Sequence, residues 1–312
     1  MQTKHEYRQV QWDDQLIDDL RQLIRLAVRE DLDRYQDWTT TTLVPADATG
    51  EADVVAKEAG LACGLNAVKI VIDELQCSIK WQERCADGDP LDAGKCLGSI
   101  RGPAREILTC ERLLLNLIGR LSGVASETAK YVKAVASSQC RIFDTRKTTP
   151  GWRRLEKYAV RCGGGWNHRT GLFDGVLIKD NHRMLASQQS EAVSAGQLVN
   201  QARKGLAEAT ASGLLDRALI VEIEVDTLEE LRSVCPQHPD IVLLDNMAGP
   251  LLREAVQVRN ELSPATELEA SGGITLATVS EAAASGVDRI SIGAITHSAH
   301  CLDVGLDWRL RG

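Results

Sequence analysis

Residues 141–182 read RIFDTRKTTPGWRRLEKYAVRCGGGWNHRTGLFDGVLIKDNH, and two short apolar runs within them, RIF and GVLI, each end in charged residues. The same texture recurs downstream in ALIVEIEV, DIVLLDN, ELEASGG and RISIGA. Helical patterns lie between most of these runs, as in QQSEAVSAGQLVNQARKGLAEA and LATVSEAAASG. Strands that alternate with helices imply a parallel sheet. Six such strands with polar or glycine-rich C-terminal ends predict an α/β barrel, whose active site is built from those ends. An open doubly wound sheet is the alternative that this pattern also permits.

Charge singles out the same region. Residues 144–183 carry nine Lys and Arg against four acidic residues, net +5, in a chain of net −8. A basic island in an acidic protein concentrates positive field on small anions, whereas nucleic-acid binding calls for a basic patch on a basic domain. No nucleic-acid partner is therefore expected. No apolar run reaches the ~18 residues of a membrane span, so no membrane partner is expected either. The segment MQTKHEYRQVQWDDQLIDDL lacks the apolar core of a signal peptide, which makes the cytoplasm the expected compartment. Nine cysteines are scattered without a C-x-x-C pair, which argues against a zinc site or a disulfide framework. Most read as small core residues; Cys162, beside Gly163-Gly164-Gly165, is the one that invites a nucleophilic reading, without a motif to support it.

Upstream, residues 13–31 repeat apolar positions at helical spacing (Leu16, Leu20, Ile24, Ala27) and predict an amphipathic helix. The threonine run Thr39 to Thr42 reads as a loop or strand start. ADVVAKEAGLACG and SIKWQERC are strand candidates around a helical stretch near Asn66 to Leu75. Residues 104–136 form a long helical pattern, with Arg112 among apolar neighbours and a possible break at Ser122-Gly123. The expected organisation is an N-terminal α+β sandwich domain over residues 1–123, joined by the tail 301–312, and an incomplete, open α/β barrel over residues 124–300.

Reading down the strand ends assembles the chemistry: Thr145, Arg146 and Lys147; Lys179 and Asn181; Glu222 and Glu224; Asp245 and Asn246; Ser271-Gly272-Gly273; Gly293. Arginine presents a planar fork that pairs twice with carboxylate or phosphate. Carboxylates on neighbouring strands suit a hydrated Mg²⁺ shared with substrate phosphates. Glycine-rich turns entering helices offer backbone N–H groups to a phosphate, a placement common after the last strands of barrels. Together these describe a pocket for a polyphosphorylated substrate with Mg²⁺ and a second anionic substrate.

The motifs ERLLLNLIGRLSG, DTRKTTPG, LEKYAVRCGGGWNHRTGLFDGVLIKDNH, EIEV, LLDNM, ASGGI and ISIGAITHS resemble those of the quinolinate phosphoribosyltransferases from about residue 20 to the end. The resemblance implies an α/β N-terminal domain, an incomplete α/β barrel and a C-terminal tail that folds back. It implies a homodimer or higher homo-oligomer, in which Arg112 reaches the partner's site. By position, the quinolinate carboxylates would meet Arg112, Arg146, Lys147, His168, Arg169 and Lys179, with Thr145 beside them. Phosphoribosyl pyrophosphate (PRPP) and Mg²⁺ would meet Glu224 and Asp245, with Lys147 and Lys179 near the phosphates. The sugar phosphate would rest on Ser271, Gly272, Gly273, Ile292, Gly293 and Ala294. Lys147, Lys179, Glu224 and Asp245 would carry the catalysis: transfer of phosphoribosyl to quinolinate with loss of CO₂, giving nicotinate mononucleotide for NAD synthesis.

Two features depart from the family pattern. The stretch EDLDRYQDWTTTT lacks the usual glycine-containing turn, and Trp152 and Trp166 stand at positions that border the motifs. Both bear on fine specificity. The rival readings are a phosphoribosyltransferase of the same architecture acting on nicotinate or another small anion, a Schiff-base aldolase using Lys179, and a non-catalytic anion-binding protein. The aldolase requires an uncharged amine, which neighbouring carboxylates disfavour. The binding protein leaves Glu224 and Asp245 opposite the cations unexplained.

Overall fold

The computed structural model describes residues 6–186 and 194–309. Its elements run α1 (Asp14–Leu32), α2 (Trp38–Leu43), β1 (Thr49–Ala56), β2 (Gly60–Leu61), α3 (Leu65–Glu74), β3 (Lys80–Glu83), β4 (Pro90–Leu91), β5 (Cys96–Pro103) and α4 (Ala104–Ala134). They continue with β6 (Arg141–Phe143), α5 (Arg153–Cys162), β7 (Gly175–Ile178), α6 (Asp180–Ala186), α7 (Ala195–Ala211), β8 (Ile220–Val225), α8 (Leu228–Val234), β9 (Ile241–Asp245) and α9 (Gly249–Leu262). The last are β10 (Glu267–Ser271), α10 (Val279–Ala284), β11 (Arg289–Ser291), α11 (Ala294–His297) and β12 (Val304–Trp308). The first residues of the helical pattern expected over 188–209 fall outside the described residues.

Two compact units divide the chain: residues 1–9, 130–146 and 165–294 form one, and residues 10–129, 147–164 and 295–312 the other. The boundary expected at residue 123 lies inside α4, which does not break at Ser122-Gly123. These two residues serve packing instead. The Ser122 hydroxyl takes the Cys63 N–H at 2.9 Å and donates to the Cys63 carbonyl at 3.1 Å. A Cβ on Gly123 would stand 1.8 Å from the His300 carbonyl oxygen, and the Leu302 N–H bonds to the Gly119 carbonyl at 2.8 Å. Two glycines one helical turn apart thus let the chain at 300–302 cross α4 in backbone contact, and β12 then pairs antiparallel with β1. In this second unit the sheet order is β12-β1-β5-β3, with β2 and β4 as a separate pair.

The threonine run is a helix, not a loop or strand. Asp37 caps α2 by accepting the Thr40 N–H at 2.9 Å, and Thr41 returns its hydroxyl to the Asp37 carbonyl. Arg105 closes the other end by donating to the carbonyls of Val44 and Thr41. Capping at both ends outweighs the low helix propensity of threonine.

All six strands expected after residue 140 form in the first unit, as one parallel sheet in the order β6-β11-β10-β9-β8-β7. From β7 to β11 each strand adds on the same side of its predecessor, and the first strand, β6, pairs with the last. A doubly wound sheet would grow in both directions from a central strand. The observed order is that of a barrel left open between β6 and β7. The free edge of β6 is lined by residues 165–167: Trp166 donates to the Ile142 carbonyl at 2.8 Å and its carbonyl accepts from the Asp144 N–H at 3.0 Å. That pairing delivers the Asn167-His168-Arg169 motif to the strand ends.

Candidate active site

Register determines which side chains share a face of the parallel sheet. Glu222 lies opposite Leu177 on β7 and Ile241 on β9, Glu224 opposite Leu243, Glu267 opposite Ile241, Glu269 opposite Arg289, and Ser271 opposite Asp245. Side chains two residues apart on a strand share a face. One face therefore carries Glu222, Glu224, Glu267, Glu269, Ser271, Asp245 and Arg289, while Val221, Ile223 and Val225 line the other. Every residue of β8 is buried, so the charges of Glu222 and Glu224 need partners.

The deeper partners form a network of four carboxylates and two guanidiniums. Fully buried Arg289 donates to Glu267 at 2.5 Å and to Glu6 at 2.7 Å. Arg141 bonds both Glu267 oxygens at 3.0 Å and also pairs with Glu6. Above them Glu222 accepts the Tyr7 hydroxyl at 2.6 Å and faces His168 Nε2 at 3.0 Å, and Glu269 lies 3.5 Å from the same nitrogen. The Arg169 N–H donates to His168 Nδ1 at 2.8 Å. An acceptor at Nδ1 leaves the proton on Nε2, so the bonding pattern assigns a neutral imidazole that donates to Glu222. Both ring nitrogens of His168 are committed inside the protein. The sequence reading had the ring meet quinolinate; here it bridges Glu222 and the backbone of Arg169.

Burial and the neighbouring Glu222 push the Glu269 carboxyl up to about 7. The folded protein thus keeps a proton on Glu269 between its ordinary 4.5 and about 7, where the unfolded chain has lost it. Stability must fall as pH rises through that window. Glu269→Gln mimics the protonated form and removes the fall. Its stability relative to the parent should rise by about 1–3 kcal/mol from about pH 5 to about pH 8 in urea titrations. Parallel profiles for the two proteins would contradict the assignment.

At the strand ends, Asp144 at the end of β6 is fully buried. It accepts Asn167 Nδ2 at 2.7 Å and the His168 N–H at 2.9 Å. Arg169, 6% exposed, spends one nitrogen on the Gly175 carbonyl at 3.1 Å. Burial, reinforced by the nearby Arg146 guanidinium, holds the Arg169 pKa below its ordinary value. An anion between two crowded cations, one of them desolvated, would relieve both their repulsion and the cost of burial. On the next strands Lys179 pairs with Glu224, itself 8% exposed. Asp245, at the end of β9, accepts Asn246 Nδ2 at 2.7 Å.

Ser271 ends β10, and Gly272 and Gly273 follow it in a turn with φ of +90° at Gly272 and +62° at Gly273. A Cβ at Gly272 would stand 2.2 Å from Asn246 Oδ1, so only glycine lets these two turns approach. Asn246 itself adopts φ +54°, a conformation uncommon for non-glycine residues and typical of functional sites. Ile292, Gly293 and Ala294 follow β11, and the Ile292 N–H bonds to the Phe143 carbonyl at 2.9 Å. One unit thus brings together Thr145, Arg146, His168, Arg169, Lys179, Glu224, Asp245 and both glycine turns.

Two expected site residues belong to the other unit. Lys147 is exposed, and its carbonyl accepts the Thr296 hydroxyl at 2.8 Å. Arg112 is exposed on α4 and lines a cavity of about 580 Å³ with Asn116, Arg120, Trp152 and Asp303. Arg120 is itself held by Glu156 at 2.6 Å and by the carbonyls of Thr296 and Ala299. Trp152, noted for its departure from the family pattern, stands on the wall of the Arg112 cavity.

The same unit brings together two cysteines that lie far apart in the chain. All nine are free thiols, yet Cys63 and Cys162, 99 positions apart, place their sulfurs within 4.8 Å of each other and of an Asp87 oxygen. Spacing along the chain cannot reveal such a pair. The Asp87 carboxylate is already taken by the Leu65 N–H, the Tyr158 hydroxyl and Asn66 Nδ2.

Comparison with known proteins places this geometry in context. Residues 37–122 match the family model described as quinolinate phosphoribosyl transferase, N-terminal domain, and residues 124–307 the corresponding C-terminal domain. A Mycobacterium leprae protein named nicotinate-nucleotide pyrophosphorylase [carboxylating] is 40% identical over 292 residues, covering 93% of this chain and 97% of its own. A chloroplastic Arabidopsis thaliana protein of the same name is 39% identical over 303 residues, 92% of this chain and 82% of its own. The solved nicotinate-nucleotide pyrophosphorylase of Francisella tularensis superposes with a TM-score of 0.84 at 34% identity, over 97% of this chain and 100% of that one. With both family domains matched and relatives this similar along nearly its whole length, the chain belongs to the quinolinate phosphoribosyltransferase family.

Proposed function

We propose that the protein transfers the phosphoribosyl group of PRPP to the ring nitrogen of quinolinate, releasing pyrophosphate and CO₂ and forming nicotinate mononucleotide. The observation that carries this reading is the desolvated Arg169 beside Arg146, set across the strand ends from Glu224 and Asp245. A dianion belongs on the first pair, and a cationic sugar with its magnesium pyrophosphate on the second.

The quinolinate carboxylates are bound by Arg146 and Arg169, with Lys147 and Arg112 as further cations. Thr145 lies next to this group in the chain, and His168 supports it from within. The 5′-phosphate of the sugar rests on backbone N–H groups of Ser271, Gly272 and Gly273 and of Ile292, Gly293 and Ala294. As the bond from the anomeric carbon to pyrophosphate lengthens, positive charge develops on the sugar ring, and the Glu224 carboxylate stabilises it. Lys179, paired with Glu224 in this structure, turns its charge to the departing pyrophosphate. Glu224 and Asp245 form an all-oxygen donor set on adjacent strands, which fits Mg²⁺. When bound, Mg²⁺ supplies charge neutralisation for the pyrophosphate. Once ribosylated, the pyridinium stabilises the electron pair left on the ring carbon as the adjacent carboxylate leaves as CO₂, and that carbon then takes up a proton from water. These residues position the two substrates and supply electrostatics; no covalent enzyme intermediate is needed.

We place the enzyme in the cytoplasm as a homo-oligomer with shared sites. Its free cysteines fit a reducing compartment. Among the described residues no helix is long and apolar enough to cross a membrane. The decisive assay supplies PRPP and Mg²⁺ with either quinolinate or nicotinate and follows nicotinate mononucleotide and CO₂. Product with CO₂ from quinolinate, and none from nicotinate, is expected. Turnover of nicotinate alone, or of neither, would overturn the assignment.

A further inference from the structure

We propose that residues 6–9 are a positioning segment for the anion-binding motif, setting the orientation of Arg169 from the interior of the sheet. This inference rests on the quinolinate reading of the site and adds to it a part that precedes the family-model match, which begins at residue 37.

Three side chains do the positioning. Gln9 makes a paired contact with the backbone of Asn167: its Oε1 accepts the Asn167 N–H at 2.8 Å and its Nε2 donates to the Asn167 carbonyl at 3.0 Å. Tyr7, 3% exposed, donates to Glu222 and stacks its ring on His168 with centroids 4.5 Å apart. Glu6 anchors the segment on Arg141 and Arg289. The fit is tight: a Cβ on Gly175 would stand 2.7 Å from the Tyr7 ring.

The contacts form a path to the substrate-binding guanidinium of Arg169. The Tyr7 hydroxyl and the His168 Nε2–H converge on one oxygen of Glu222. That convergence fixes the plane of the imidazole, and His168 Nδ1 accepts the N–H of Arg169. Among the described residues, the Arg169 guanidinium is hydrogen-bonded at a single point, the Gly175 carbonyl. Its aim therefore depends on where its backbone is held, and residues 7 and 9 act on the two residues before it, Gln9 on the Asn167 backbone and Tyr7 on the His168 ring that accepts the Arg169 N–H. Both are positioning residues and need not touch substrate.

The test compares Tyr7→Phe and Gln9→Leu with the parent by steady-state kinetics in both substrates, by calorimetric binding of quinolinate, and by thermal unfolding. Phe keeps the ring stack and loses only the hydroxyl; Leu keeps the bulk at residue 9 and loses the paired amide contacts. Each variant should raise the quinolinate KM and Kd on the order of tenfold, the scale of one hydrogen bond to a charged group. The KM for PRPP should stay within about twofold, since that substrate is held on other strands. A fall in melting temperature with both KM values unchanged, or an equal rise in both, would make the segment merely structural and overturn the proposal. A parent protein that neither binds nor turns over quinolinate would overturn the functional reading and this inference together. A parent that does both while the variants match it would sink the positioning role alone.

Discussion

Arg112→Ala is expected to lower kcat/KM for quinolinate by about 10³ or more, and an equal mixture with Arg169→Ala is expected to recover about a quarter of the parent activity. The first figure follows from removing a bidentate contact to a dianion; the second follows from a two-fold symmetric dimer with sites shared between subunits. Arg112 stands exposed on a helix whose neighbouring positions Leu113, Leu114 and Leu115 are buried, at the edge of a cavity. If it serves the partner's site, a mixed dimer contains one site built from the intact barrel of one subunit and the intact Arg112 of the other. Half of the dimers are mixed, and one of their two sites works. If Arg112 served its own subunit, each site of a mixed dimer would lack one arginine and no activity would return. The measurement is activity after co-refolding or subunit exchange, with each variant alone as the baseline. Absence of recovery, with mixed dimers demonstrated by tagged subunits, removes the shared site.

Glu224→Gln should lower kcat by about 10²–10³, the scale of losing one preorganised electrostatic contact to a transition state, while the protein remains folded. Gln keeps the length of the side chain and can accept a hydrogen bond from Lys179, so the packing at the end of β8 is preserved. What disappears is the negative charge opposite the sugar and one of two oxygen donors for Mg²⁺. The quinolinate Kd, set by Arg146 and Arg169, should change little, so the loss appears in kcat. Raising Mg²⁺ should not restore the rate. A variant with kcat within about threefold of the parent would show that Glu224 is no part of the catalytic machinery.

The glutamate that the strand pattern could not place is Glu222. At residues 220–225, IVEIEV announces a strand with both carboxylates on one face, and the structure keeps them on one face with different partners. Glu224 meets Lys179 at the open strand end, whereas Glu222 is sealed beneath His168 and Tyr7. A two-residue step is about one pleat of rise, enough to separate a carboxylate paired at the strand end from one sealed deeper in the interior. Sequence spacing carries no depth.

Taken by itself, the chain determined the six parallel strands, the residues at their ends and the glycine turns, because each is local: an apolar run, the residues that follow it, a turn that requires positive φ. Tertiary structure alone decided the rest. Only the fold brings Cys63 beside Cys162, passes residues 300–302 across Gly119 and Gly123, and pairs β12 with β1. It also carries Tyr7 and Gln9 to a motif about 160 positions away and occupies both nitrogens of His168. Partners that far apart leave no periodicity to read. They are selected by burial, where a charge or amide removed from water must find whatever donor or acceptor the packed chain brings within reach.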